Sequence, residues 1–344
     1  GERALNHYRQ SGNRWGEAEM LYEMGVLLTS YRRGNERIMP YLQESLRIRQ
    51  QLRDRVGEAE TLTILGETLH GTTAVQRVTY LQAALEIHRQ LGHEYRQHYT
   101  HTALASACNT LGQYGQVHQC MGPLQTNDEV LADPNLHYLI LNNLSIAASL
   151  QGDAERGTTL AQKMLSLHAT IAPNQRLRGY MAMGYACVTG NMLTEAQTAF
   201  EQALVQVTPQ QNQALQIAPR TGLAEVGYRM QMQKGRLAQR TVRSSTLNRS
   251  HPIAKALTHV TWLYPYLIAE AHEPSGRELF WPHWVCYQVL RMVDDPRADD
   301  LLRQTHQQLL QLADELTDET LRDSFLHNVA VNRAILEEVE RLKG

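Results

Sequence analysis

The stretch Gln82-Ala83-Ala84-Leu85-Glu86-Ile87 returns in altered form as Glu44-Ser45-Leu46-Arg47-Ile48 and again as Glu201-Gln202-Ala203-Leu204. Extended along the chain, the anchor of this phrase falls on Ala4, Ser45, Ala84, Leu124, Met164 and Ala203, at spacings of 41, 39, 40, 40 and 39 residues. A second anchor, a large apolar residue followed by a small one, lies between them: Met24-Gly25, Leu65-Gly66, Leu104-Ala105, Leu144-Ser145, Met183-Gly184 and Leu223-Ala224. Self-similarity at such a period is the signature of a repeat architecture. Two anchors per period predict two helices per unit. In the first helix (A) the small residue admits its neighbour closely, as ridge-into-groove packing requires. The second (B) crosses it at an Ala or Ser. Gly112 and Gly152, eight residues past their anchors, and Gly190, seven past, stand where helix A must stop and turn. One such unit cannot bury its apolar stripe alone, so neighbouring units must stack.

Composition agrees. The 344 residues include 47 Leu, 33 Ala and 30 Gln against three Phe and four Trp, a balance that favours helices and excludes an all-β fold. With 42% hydrophobic and 20% charged residues the chain is neither disordered nor membrane-embedded, and no run approaches the ~18 apolar residues of a membrane span. The chain opens Gly1-Glu2-Arg3, with no apolar leader segment. Cys108, Cys120, Cys187 and Cys286 are scattered, with neither disulfide-framework nor zinc-ligand spacing, and read as core residues of a reducing compartment. The expected location is the cytoplasm. A formal charge of −2 offers no global attraction to nucleic acid or anionic lipid.

The pattern resembles the tetratricopeptide repeat, L-G-x-x-Y followed by A-x-x-x-F-x-x-A. Met183-Gly184, Ala196, Phe200 and Ala203 reproduce most of it; elsewhere the match is degenerate, with Val117 in place of the Ala. The resemblance covers residues 4–250 and implies an all-α, right-handed solenoid with a period longer than the usual ~34 residues. Residues 1–14 then close a truncated upstream repeat, 15–250 form about six repeats, and 251–344 form a degenerate repeat and a helical C-terminal cap. The run from Asp314 through Asp318, Leu321-Arg322, Ser324-Phe325-Leu326, Asn328-Val329 to Asn332-Arg333 is similar to segments that close repeat arrays in large bacterial signalling proteins. In those proteins a STAND-type ATPase, cyclase or kinase precedes the array, although Ala330 stands where they often carry Pro. Asp318 suits a helix N-cap, and Leu321, Phe325 and Leu326 form the apolar stripe behind it.

Chemical motifs fare poorly. Gly152–Thr159 copies the spacing of a phosphate loop without its Lys and falls between two repeat helices. His93 and His98 are one residue too far apart for the zinc-protease helix, and His98 with His101 share a helix face without a third ligand. The expectation is a non-enzymatic chain with no cofactor and no metal.

Two local features remain. Residues 202–269 hold eight Lys/Arg and the single acid Glu225, a charge of +7, whereas residues 270–344 carry −7. Arg236, Arg240 and Arg243 form an i, i+4, i+7 stripe expected on helix B of the sixth repeat, either a solvated face or a dock for an anionic ligand, an acidic partner segment or an upstream domain. Seven of the 22 aromatics crowd into residues 262–287, either a satellite core or an aromatic-lined pocket.

The resemblance also implies a concave groove lined by positions 2, 5, 9 and 12 of each helix A. These are Tyr99, Thr102, Ser106 and Asn109 in the third repeat; Leu139, Asn142, Ile146 and Ser149 in the fourth; and Arg178, Met181, Tyr185 and Val188 in the fifth. They lack the Lys of a carboxylate clamp. Tyr99, Thr102, Asn109, Asn142, Arg178 and Tyr185 suit an extended peptide, the amides bonding its backbone and the rings packing its side chains. The expected role is the sensor arm of a larger bacterial signalling protein, with a protein or peptide partner or its own upstream ATPase or effector domain. A self-contained peptide receptor or assembly adaptor is the alternative. Nucleic acid and membrane are not expected partners.

Overall fold

The computed structural model describes residues 1–31, 37–68, 74–207, 213–235, 251–269 and 279–343; among the described residues there is no β-strand. The chain divides into two compact units, Gly1–Ala107 and Cys108–Gly344. The first holds α1 (Glu2–Ser11), α2 (Arg14–Tyr31), α3 (Ile38–Leu52), α4 (Arg55–Thr68), α5 (Ala74–Gln90) and most of α6 (Glu94–Thr110). The second holds α7 (Tyr114–Met121), α8 (Asp128–Ala132), α9 (Pro134–Leu150), α10 (Ala154–Ser166), α11 (Arg176–Thr189), α12 (Leu193–Val205) and α13 (Ile217–Gly235). It continues through α14 (Pro252–Leu267), α15 (Trp281–Met292), α16 (Arg297–Glu315), α17 (Glu319–Asp323) and α18 (Ala330–Lys343).

Within each unit, helices pack on their neighbours in sequence. The forty-residue period maps onto this order. The large–small anchors fall on α2, α4, α6, α9, α11 and α13, and the other anchors on α1, α3, α5, α10 and α12. The exception is Leu124. It lies in a 3₁₀ turn, Pro123–Thr126, because Pro123 supplies no N–H to continue the short α7.

The small anchor residue does what close packing demands. A Cβ on Gly25 would overlap the Leu42 side chain, one on Gly66 that of Leu81, and one on Gly184 the ring of Phe200. Leu42, Leu81 and Phe200 each precede a helix-B anchor by three residues and are fully buried. Ser45 donates to the Ala18 carbonyl at 2.8 Å where α3 crosses α2, which explains a hydroxyl in a wholly buried position. Phe200 also lies against Gly222, so one ring fills the space between three consecutive helices.

The turns repeat as well. In the first unit the tight connection leads from B to A: Gly12, Arg53 and Gly92 take positive φ, and Asn13 and Asp54 accept the Gly16 and Gly57 amides. In the second unit it leads from A to B, through Gly112, Gly152 and Asn191. Gly190 ends α11 with a negative φ, and the left-handed residue is Asn191, whose short polar side chain tolerates that conformation. The phosphate-loop mimic is accordingly the α9–α10 turn, with Asp153 accepting the Arg156 amide at 3.0 Å.

α13 packs on α14, and α15 then packs on α13 in the series α9–α11–α13–α15, paired with α16. Residues 251–344 thus open with α14, the partner of α13, and continue with a further helix pair, α15 and α16. Beyond it, Asp318 caps α17, accepting the Thr320 and Leu321 amides at 2.8 and 3.1 Å. The next turn of chain is a π-helix, Ser324–Asn328. Ser324 donates to the Leu111 carbonyl at 2.8 Å, and Asn328 donates to that of Gly112 at 3.4 Å. Asn332 donates to the Phe325 carbonyl at 2.8 Å, bracing α18 on the same turn. The segment singled out as a closing motif thus ties the end of the second unit to its first turn.

Candidate functional site

Residues at i, i+3, i+4 and i+7 share one helix face. On α13 this face carries Glu225, Tyr228, Arg229 and Met232; on α15 it carries Trp281, Trp284 and Gln288. Together with Ser149 of α9 and Tyr185 and Val188 of α11 they line one cavity of about 490 Å³, which the first residues of α18, Ala330 and Val331, complete. Ser149, Tyr185 and Val188 are groove positions 12, 9 and 12 of the fourth and fifth repeats. Counted the same way from Leu223, Glu225 and Tyr228 are positions 9 and 12 of the sixth. Of the twelve groove positions named above, Ser149, Tyr185 and Val188 line the cavity.

Glu225, the single acid of the basic stretch, is its electrostatic hub. Its carboxylate accepts the Trp281 indole N–H at 2.8 Å and pairs with the Arg229 guanidinium at 2.6 Å. Arg229 also donates to the Val188 carbonyl at 3.2 Å, and Gln233 donates to the Asn191 side chain at 3.0 Å. These bonds tie α11, α13 and α15 together around the cavity. The Tyr185 ring meets Trp281 edge-on at 5.0 Å and Phe200 at 5.8 Å. Burial raises the Tyr228 hydroxyl above the usual tyrosine range, so it stays protonated and able to donate.

The aromatic cluster therefore does both things its composition allowed. Phe280 and Tyr287 are buried core residues, and Tyr287 donates to Glu338 of α18. Trp281 and Trp284 show edges or faces to the cavity. On α14, Trp262 lies under the Arg220 guanidinium at 4.4 Å, which removes one cation of the basic stretch from free solution.

The other expected residues are distributed unevenly. In the first unit Tyr99 is exposed, whereas Thr102 is buried and donates to the Tyr99 carbonyl at 2.7 Å. In the second unit Asn109 is buried too. Its amide donates to the Asn143 carbonyl at 3.1 Å, joining α6 to α9 rather than facing a groove. Asn142 is half-buried, Arg178 is exposed at the start of α11, and of these six only Tyr185 reaches the cavity. Arg236, Arg240 and Arg243 lie outside the described residues. Among the described residues no cluster of three His, Cys, Asp or Glu side chains could hold a metal ion.

The first unit contains a feature that sequence reading missed. Arg49 is 1% exposed, on the buried face of α3. It pairs with Glu19 of α2, approaches Glu60 of α4 at 3.7 Å, donates to the Gly57 carbonyl at 2.7 Å and lies 4.7 Å from the Tyr22 ring centre. Burial pushes the Tyr22 hydroxyl up to about 12. Position offered the available signal: Arg49 follows Ser45 by four residues and so shares its face. No protein-family model matches the chain, and no curated protein aligns with it.

Proposed function

We propose that this chain is a right-handed tetratricopeptide-like solenoid that binds a protein or peptide and serves as the sensor arm of a larger bacterial signalling protein of the STAND type or a related regulator. The observation that supports the reading most directly is the cavity. Ser149, Tyr185 and Val188, three of the groove positions that the repeat resemblance implies, line it beside aromatic rings and amides of α13 and α15. Such a surface suits recognition of a chain segment more than chemistry on a small substrate, because its charged groups are already paired with one another. Occupying a site that spans three helix pairs would bias their mutual packing, the means by which binding is passed to an upstream switch in this reading.

The test is affinity capture with the intact chain and with Ala330→Trp, which places an indole at the cavity rim on an exposed helix start. A partner retained by the wild type and lost by the variant, at unchanged melting temperature, supports the reading. Equal retention by both overturns it.

A further inference from the structure

We infer that the cavity between α11, α13, α15 and the start of α18 selects an uncharged aromatic side chain carried on an amide backbone, and rejects its charged counterparts. This rests on the groove being the binding site, as proposed above.

Three observations carry it. The first is charge. Among the described residues that line it, the cavity has one anion and one cation, Glu225 and Arg229, joined at 2.6 Å. The second carboxylate oxygen of Glu225 is taken by the Trp281 indole at 2.8 Å, and the guanidinium holds the Val188 carbonyl as well. An incoming ammonium or carboxylate would have to break these bonds or enter without a counter-charge, and an unpaired charge in a partly enclosed site is costly. A neutral group disturbs nothing.

The second is the nature of the walls. The rings of Tyr185, Trp281, Trp284 and Tyr228 form part of the walls, and aromatic groups pack on one another edge-on or offset with a gain beyond simple burial. At about 490 Å³ the space falls within the ~300–1,000 Å³ in which proteins hold small ligands, and it admits a ring with its attached backbone.

The third is the polar complement. The Gln288 amide and the Tyr228 hydroxyl both face the cavity, and neither has a side-chain hydrogen bond to a described residue. An amide both donates and accepts, and the protonated hydroxyl donates, which matches the N–H and C=O of a peptide group and leaves no site specialised for an ion.

The experiment uses three compounds of one shape: N-acetyl-phenylalaninamide, which is neutral, N-acetyl-phenylalanine, which carries a carboxylate, and phenylalaninamide, which carries an ammonium. Binding to the whole chain is read by calorimetry and by tryptophan fluorescence, which Trp281 and Trp284 should report. The neutral compound should bind saturably and each charged one at least about tenfold more weakly, the equivalent of ~1.4 kcal/mol. Ala330→Trp should abolish the neutral compound's binding, and Gln288→Ala should weaken it, both with unchanged circular dichroism and melting temperature. Equal or tighter binding of a charged compound overturns the selection for neutrality. No saturable binding of the neutral compound, or binding that survives Ala330→Trp, overturns the assignment of this occupant. Both failures concern the ligand's chemistry; the groove itself stands or falls on whether Ala330→Trp loses the captured partner.

Discussion

His88 shows how a single residue can couple this fold to pH. It sits on α5, 2% exposed, with Nδ1 buried and without a hydrogen-bond partner among the described residues. Burial first, then the neighbouring charges of Arg96 and His93, push its pKa from the ordinary 6.5 down to about 4. The folded state therefore prefers the neutral ring and binds fewer protons than the unfolded chain below pH 6.5. Its contribution is fully present above pH 6.5 and is lost as pH falls toward 4. At pH 5 the loss amounts to ~2 kcal/mol. Urea unfolding at pH 7 and pH 5 should show that His88→Leu loses less stability on acidification than the wild type, by about that amount; an unchanged pH dependence would refute the assignment. Arg49 is the other residue whose environment decides its role. Truncating it would leave Glu19 without its buried partner, whereas replacing a charge by an apolar group of matching shape can be nearly neutral. Neither behaviour follows from residue type, because a His or an Arg in a helix is ordinarily solvated.

At the scale of elements, the tight turns are the informative parts. Gly112 and Gly152 occupy equivalent positions at the ends of α6 and α9, both with positive φ. A Cβ on Gly152 meets nothing within 4 Å, whereas one on Gly112 would lie 2.8 Å from the Ser324 carbonyl and 2.9 Å from Asn328 Cβ. Gly152→Ala should cost only the left-handed conformation, ~1–2 kcal/mol. Gly112→Ala should cost that and a further ~1–3 kcal/mol of overpacking, because the returning C-terminal segment must move. Denaturant unfolding of the two variants measures the difference, and equal losses would show that docking of the Ser324–Asn328 turn contributes little. The helices themselves were legible in the sequence: the anchors on α2, α3, α4, α5, α9, α11, α12 and α13 all fall inside the elements they predicted. Asn191 was not, because a left-handed Asn after a Gly cannot be told from the reverse by composition. Nor was the docking of Ser324 and Asn328, whose partners lie more than two hundred residues earlier in the chain.

For the whole molecule, charge is the property the sequence states most directly. The chain is nearly neutral, at −2, yet holds a +7 stretch beside a −7 stretch, with an isoelectric point near 6.8. Opposite patches on near-neutral molecules attract one another when screening is weak. Light scattering near pH 7 should therefore report self-association at ~10 mM salt that is relieved at ~300 mM, as the Debye length contracts from ~30 Å to below 10 Å. Association that strengthens with salt would point instead to apolar contacts. Part of the positive charge is already committed within the fold, Arg220 to Trp262 and Arg229 to Glu225.

The helical class, the forty-residue period, the alternation of A and B helices and the close approach at Gly25, Gly66 and Gly184 are all written along the chain. Each is a property of neighbours along the chain, set by propensity and by the volume of one or two side chains. The repeat resemblance pointed to part of the cavity lining as well, Ser149, Tyr185 and Val188. That α15 continues the series of A helices, and that Glu225 neutralises Arg229 while holding Trp281, is settled by packing between distant segments. The same packing turns Asn109 inward to bond the Asn143 carbonyl. Those outcomes depend on which residues of distant segments meet, and burial then assigns each polar group either to a partner inside the fold or to the cavity, a choice that no local spacing encodes.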